Sequence, residues 1–177
     1  MSKDLKKRFT DVRETDGVDL GACRQVRGSG DAAPHTFGIV VSRFNPDLTE
    51  NMLRACVDAL RARGARDESV AIAWVPGAFE IPSVLERWAA SARFSALIAL
   101  GVVIQGETPH AEAIGREIAH AFCSIARAHR VPVIDGVIIA HTMEQAAMRA
   151  GAGIANRGAY AAKAAVEMAG VFTQLET

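Results

Sequence analysis

The chain of 177 residues has no excess charge of either sign: 20 Lys and Arg stand against 20 Asp and Glu, and the formal net charge is zero with His neutral. A nucleic-acid binder needs a basic footprint for phosphates and aromatic platforms for bases, and one Tyr with two Trp supplies neither. Cysteine is scarce as well. Cys23, Cys56 and Cys123 are odd in number, far apart and without a C-x-x-C pair, which argues against a disulfide framework and against a thiolate metal centre. Cys56 and Cys123 fall on apolar faces of predicted helices, where a reduced thiol behaves as a small buried hydrophobe, so a reducing, cytoplasmic setting is expected. No apolar run approaches the roughly 20 residues that span a bilayer. Met1 to Thr10 is Lys-rich and has no apolar core of a secretory signal. A chain of this length suits one domain that buries roughly two thirds of its unfolded surface, enough to stand without disulfides or metals.

What is present is a regular alternation of apolar runs and helical stripes after a polar start. Residues 1–34 mix charges of both signs with four glycines and little periodicity, and are read as a mobile N-terminal arm. Within it Cys23 to Arg27 alternates weakly, enough for an extended strand that adds to a sheet edge of a neighbouring subunit. Residues 35–177 form the domain. Phe37 to Ser42 reads as a buried strand, with Asn45 and Pro46 as N-cap and first helical residue. The stripe Leu48, Met52, Ala55, Cys56, Ala59, Leu60 predicts a helix that stops at Gly64. Ser69 to Val75 is the next strand, and Ile81, Val84, Leu85 and Trp88 form the inward face of the helix that follows, Pro82 being tolerated in its first turn. Val131 to Ala140 is a fourth strand. Thr142-Met-Glu-Gln145 is a capping box for a short helix, and Asn156 caps an alanine-rich last helix to about Gly170, whose small side chains suit close packing on another helix of this subunit or a neighbour. Strand and helix in alternation predict a parallel sheet covered on both faces, a three-layer α/β/α sandwich of flavodoxin-like type.

The centre of the pattern is Ser95 to His110. An apolar strand ends abruptly at Gly106-Glu-Thr-Pro109, and Ile114, Ile118, Ala121, Phe122 and Ile125 then recur at helical spacing. In open α/β sheets ligands bind at such junctions, where the first N–H groups of a helix are unpaired. Phe44, Ala78 to Glu80, Val102 to His110 and Asp135 are all expected at or after carboxyl ends of strands, and so at one rim. The plainer alternatives are that Phe44 is core and that Glu80 is a helix-start acid favoured by the dipole. His35, His120, His129 and His141 have no ligand spacing and are expected at the surface or at caps, so no metal site is indicated. Gly151-Ala-Gly-Ile-Ala-Asn156 is a fragment of a dinucleotide fingerprint, but it follows a helix, whereas the fingerprint needs a strand before it.

Five strings occur in order: Ser42-Arg-Phe-Asn45, Val75-Pro-Gly-Ala-Phe-Glu-Ile-Pro82, Gly101-Val-Val-Ile-Gln-Gly-Glu-Thr-Pro-His110, Glu144-Gln-Ala-Ala-Met-Arg-Ala-Gly151 and Asn156-Arg-Gly158. Together, from Phe37 to Met168, they resemble the motif series of the 6,7-dimethyl-8-ribityllumazine synthase family. The resemblance implies a transferase of riboflavin biosynthesis that condenses 5-amino-6-(D-ribitylamino)uracil with 3,4-dihydroxy-2-butanone 4-phosphate, releasing phosphate and water without metal or organic cofactor. By the same resemblance Phe44 stacks on the pyrimidine, Ala78, Phe79 and Glu80 hold the ribityl chain, and Val102, Val103 and Ile104 offer backbone groups to the ring. Glu107 and Thr108 cradle phosphate, His110 carries protons, and Asp135 and Arg149 come from the adjacent subunit of a homopentamer. Assembly into an icosahedral shell and association with riboflavin synthase are further implications. The chain departs from the family pattern at Asp135, where an aromatic is usual, at Gln105, which replaces a frequent Arg, and at Gly153 and Arg157, where some members have Lys. A shell protein without catalysis would be expected to lose the pocket residues, which are present. A generic nucleotide-binding domain calls for a Gly-rich turn after the first strand, and this chain has Arg43-Phe-Asn45 there.

Overall fold

The computed structural model describes residues 21–106, 110–151 and 156–175. Four strands form one parallel sheet: β1 (Phe37–Ser42), β2 (Val70–Val75), β3 (Ala96–Ile104) and β4 (Val133–Ala140), in the order β2-β1-β3-β4. Five helices connect and follow them: α1 (Pro46–Arg61), α2 (Ile81–Ala90), α3 (His110–His129), α4 (Met143–Ala150) and α5 (Arg157–Leu175).

The two inner strands are apolar except for the buried Ser42 at the end of β1, because both of their faces are covered. Phe37, Ile39 and Val41 of β1 and Ala96, Ile98, Leu100 and Val102 of β3 face one core, shared with Met52, Cys56 and Leu60 of α1, Ala146 and Ala150 of α4, and Ala161, Ala165 and Val166 of α5. Val40, Leu97 and Ala99 face the opposite core, filled by Ile81 and Leu85 of α2 and Ile118, Phe122 and Ile125 of α3. Period-2 alternation thus feeds two cores from the same strands, each fully buried Leu, Ile or Val contributing about 1.5 to 3 kcal/mol. Such a core explains why the three-layer expectation holds.

Helix ends carry the local chemistry. α1 closes on Gly64, at φ 95°, with Ala65 N–H donating to Leu60 O at 3.1 Å and Gly64 N–H to Arg61 O at 2.9 Å, the paired bonds of a glycine C-terminal motif. At the start of α4, Thr142 Oγ1 accepts from Gln145 N–H, while the Gln145 amide oxygen accepts from His141 N–H rather than from Thr142, a capping box displaced by one residue. Asn156 does more than cap α5. Its Oδ1 accepts from Gly158 and Ala159 N–H, and its Nδ2 donates at 2.8 Å to both Ala150 O and Gly151 O, so one buried amide ties the end of α4 to the start of α5.

Several expectations are corrected. α5 continues to Leu175 instead of stopping at Gly170. A Cβ at Gly170 would come within 3.0 Å of Gly28 Cα, so this glycine permits close approach and does not end the helix. Of the two packings expected for α5, the one within the subunit is present: a Cβ on Gly158 would lie 2.0 Å from Met52 O of α1. Residues 23–27, expected to add to the sheet of a neighbouring subunit, lie within this chain along α5, where Gln174 Nε2 donates to Arg27 O and Gly28 abuts the Glu167 carbonyl. Ala32 is fully buried in the first core. Cys123 is exposed, because it lies off the Ile118–Phe122–Ile125 stripe, whereas Cys56 is buried and its thiol is pushed up to about 12 by desolvation. His35 is buried rather than superficial, its ring at 75° to that of Phe37 with 6.4 Å between centroids. The second strand begins at Val70 because Asp67–Ser69 closes into a short 3-10 turn, and the fourth begins at Val133.

Candidate active site

The strand order reverses direction between β1 and β3, since β2 lies on one side of this pair and β4 on the other. Crevices at that switch point, beyond the carboxyl ends of the strands, are where open α/β sheets take ligands. Here the crevice has a structural cause. The last β1–β3 pair is Val41 with Leu100, yet β3 continues to Ile104, held on its far side by β4 as far as the pair Ile104–Ala140. Val102 to Ile104 therefore project past β1 with one edge uncovered by a strand.

Two turns converge on that edge. After Ser42, Arg43 N–H donates to Val75 O and the chain turns through Asn45, whose φ of 57° is left-handed, a conformation that Asn tolerates better than most residues. Asn45 occupies the N-cap position of α1, but its side chain makes no cap bond; Nδ2 instead donates to Val102 O at 3.2 Å, tying the α1 start to the projecting strand. The cap expectation is corrected in this respect. The turn leaves Phe44 69% exposed, which removes the reading of Phe44 as core. From the other side, Ala78–Glu80 form a 3-10 turn in which Glu80 Oε2 accepts from Gly77 N–H at 2.9 Å, so this acid does stabilise its own turn. Ala78 is buried and Phe79 is 60% exposed. Gly101 allows the junction: a Cβ there would meet Ser42 Oγ at 3.2 Å, Ala78 Cβ at 3.3 Å and Ile81 Cδ1 at 3.4 Å.

Phe44, Ala78, Phe79, Glu80, Val102, Val103 and Ile104 thus stand around one rim. Val102 is buried, and Val103 and Ile104 are half-buried. His110 is the first residue of α3 and exposed, at the end where helix N–H groups lack intrahelical partners. Glu107 and Thr108, the expected phosphate cradle, lie outside the described residues, as does Gly153. Arg149 is exposed in the last turn of α4. Glu144, in the first turn of that helix, has its carboxyl held below the usual range by its own backbone N–H and then by the Thr142 hydroxyl.

Asp135 is not at the rim. It is third in β4, paired with Ala99 in the middle of β3, because the apolar run continues five residues beyond it to Ala140. Sequence reasoning also missed two residues. Asn45 was legible as a residue before proline at a strand end, but not as a tie to Val102. Ser42 lies fully buried at the base of the crevice, its hydroxyl without a hydrogen-bond partner among the described residues. Among the described residues no His, Cys, Asp or Glu cluster has the makings of a metal site, and no helix is long and apolar enough to cross a membrane.

A rim of this kind offers two exposed aromatic faces, an uncovered backbone edge, a carboxylate and an imidazole at a helix start, which suits a planar polar heterocycle bearing a hydrophilic chain. Residues 34–173, which comprise the whole sheet, its rim and nearly all of α5, match the family model of 6,7-dimethyl-8-ribityllumazine synthase, and the chain belongs to that family, the lumazine-forming enzymes of riboflavin biosynthesis.

Proposed function

We propose that this protein condenses 5-amino-6-(D-ribitylamino)uracil with 3,4-dihydroxy-2-butanone 4-phosphate to give 6,7-dimethyl-8-ribityllumazine, phosphate and water, the penultimate step of riboflavin biosynthesis. The observation that carries the reading is the projecting β3 edge at Val102 to Ile104, flanked by the exposed rings of Phe44 and Phe79. A uracil ring presents alternating N–H and C=O groups, which the backbone groups of the projecting edge other than Val102 O, held by Asn45, can match, while Phe44 covers its face. Ala78, Phe79 and Glu80 hold the ribityl hydroxyls.

The chemistry asks for positioning and proton movement more than for a strong electrophile. The pyrimidine amine attacks the ketone and loses water to form an imine. Removal of a proton next to that imine lets the electron pair move so that the C–O bond to phosphate breaks, and the second amine closes the ring with loss of water. His110 takes and returns the protons, since an imidazole carries one nitrogen that can accept a proton and one that can donate. Phosphate leaves into the turn at Glu107 and Thr108, where helix-start N–H groups favour an anion. Arg149 of an adjacent subunit pairs with it as a planar fork, and Asp135 of that subunit faces the pyrimidine. The protein works as a cytoplasmic homopentamer, open to shell assembly and to riboflavin synthase as a partner, with residues 1–34 as an arm between subunits.

The test is to mix purified protein with both substrates and follow the lumazine chromophore together with inorganic phosphate. One phosphate per lumazine is expected, and phosphate release without lumazine would overturn the proposal.

A further inference from the structure

β3 outruns β1, and its backbone groups are divided between two sides. Leu97 N–H donates to Pro132 O and Gln105 N–H to Ala140 O, so the odd-numbered groups of β3 face β4, while Ala96 N–H donates to Thr36 O on the β1 side. Val102 and Ile104 therefore present their N–H and C=O groups to the uncovered side. β1 brings no residue opposite Val102, because its last pair is Val41 with Leu100 and Arg43 N–H turns away to Val75 O. A longer β1 would have donated the Phe44 N–H to Val102 O, and the Asn45 side chain fills that place with Nδ2 at 3.2 Å. Two backbone preferences are overridden to bring it there. Asn45 is left-handed at φ 57° and ψ 58°, and it precedes Pro46, which favours extended backbone. Its carbonyl is fixed as well, accepting from Leu48 N–H at 3.0 Å and from Thr49 N–H at 3.1 Å. Conformations of this kind persist where the surroundings over-determine them, and they gather at sites that need fixed groups.

We propose that Asn45 is a positioning residue for the pyrimidine and acts through Val102. Its amide carries the β1–β3 ladder one step past the last strand pair and thereby holds Phe44 at a fixed distance from the edge of β3. Phe44 is the residue between two anchors, Arg43 on Val75 O and Asn45 on Val102 O, and with its side chain so exposed it has little packing of its own to fix it. The role rests on the proposed reaction, in which that ring covers the face of the pyrimidine and the edge of β3 meets its polar groups. A planar ligand is gripped by both at least cost when their separation is set before it arrives, since ordering a side chain on binding costs affinity. Asn suits both demands: it tolerates the left-handed backbone and carries an amide donor, whereas Gly meets only the first.

Two full-length variants test this. Asn45→Gly keeps the left-handed backbone and removes the amide, and Asn45→Asp keeps the shape but replaces the donor with an acceptor. In ligand-free Asn45→Gly, Arg43 amide exchange should rise by roughly two- to twelve-fold, the equivalent of one net hydrogen bond, with a denaturation midpoint close to wild type. Calorimetry with 6-(D-ribitylamino)uracil, the pyrimidine without its 5-amino group, should show binding weakened by roughly two- to twelve-fold, the cost of ordering one side chain. In turnover the Michaelis constant for the pyrimidine should rise with it and that for the butanone phosphate should not, whereas a merely structural loss lowers the active fraction and leaves both constants alone. Faster Arg43 exchange with unchanged affinity makes the bond structural only and overturns the proposal. Weaker binding with unchanged exchange means that Asn45 touches the ligand itself, which overturns it too, as does no change in either. If Asn45→Gly does not fold, Asn45→Asp decides on the same readouts. Wild-type protein that neither binds the probe nor forms lumazine would overturn the proposed reaction and the positioning of a pyrimidine with it; binding of the probe without turnover would overturn the reaction alone.

Discussion

His110 opens α3 from an exposed position, and its value to the proposed reaction is testable by removal. His110→Ala should lower turnover at saturating substrates by about 10²-fold or more, the typical size of a general acid–base contribution. Unchanged turnover would take it out of the mechanism. Ser42 makes the opposite kind of prediction. Its buried hydroxyl has no partner among the described residues, and an unsatisfied buried polar group costs about 1 to 3 kcal/mol, so Ser42→Ala should raise stability by about 1 kcal/mol in denaturant titration. A loss of stability would reveal a partner for Oγ. Cys56 is distinguished from the other thiols by burial. With its thiol pushed up from 9.0 to about 12, it stays protonated and should resist alkylation in the folded chain at pH 8 while exposed Cys23 and Cys123 react. Its folded pKa is raised, so the stability it contributes is complete below pH 9.0 and is lost as pH rises toward 12. Labelling of Cys56 at the same rate as the others would contradict its burial.

Between elements, the decisive contact is the Asn156 joint. Removing its side chain leaves Ala150 O and Gly151 O without their donor and Gly158 and Ala159 N–H without their cap, so Asn156→Ala should cost about 2 to 4 kcal/mol. Asn156→Asp keeps the cap oxygen and loses the donor, and should fall between. Equal midpoints for wild type and Asn156→Ala in chemical denaturation would show that the joint does not hold α4 to α5. The capping function was legible, because Asn before a helical stripe is a local signal. The donor half was not, since it depends on where α4 ends in space. Asn45 teaches the same lesson, a capping residue by position whose amide is taken by Val102 O from another element.

For the whole molecule, the rim is open, large aromatics stand exposed on it, and β2 leaves Ile72 and Trp74 uncovered along a groove of about 320 Å³ between α1 and the strand. Exposed apolar groups gathered in this way mark contact surfaces. Light scattering on the purified chain should give the mass of five subunits or a multiple of it. A monomer with full activity would refute a pocket shared between subunits.

The order of the elements, the spans of β1 and α3, the two-sided burial of β1 and β3 and the switch-point crevice follow from local patterns: apolar runs of strand length, helical stripes, and Gly, Pro and Asn at their ends. Such signals need only neighbours in sequence. The position of Asp135 in mid-strand, the burial of His35, the exposure of Cys123 and the passage of α5 through Gly170 follow from which distant surface each residue meets. A glycine that ends one helix at Gly64 lies within another at Gly170, because in the first case the backbone turns left-handed and in the second Gly28 lies against it. Composition makes both conformations available to glycine, and tertiary packing selects between them.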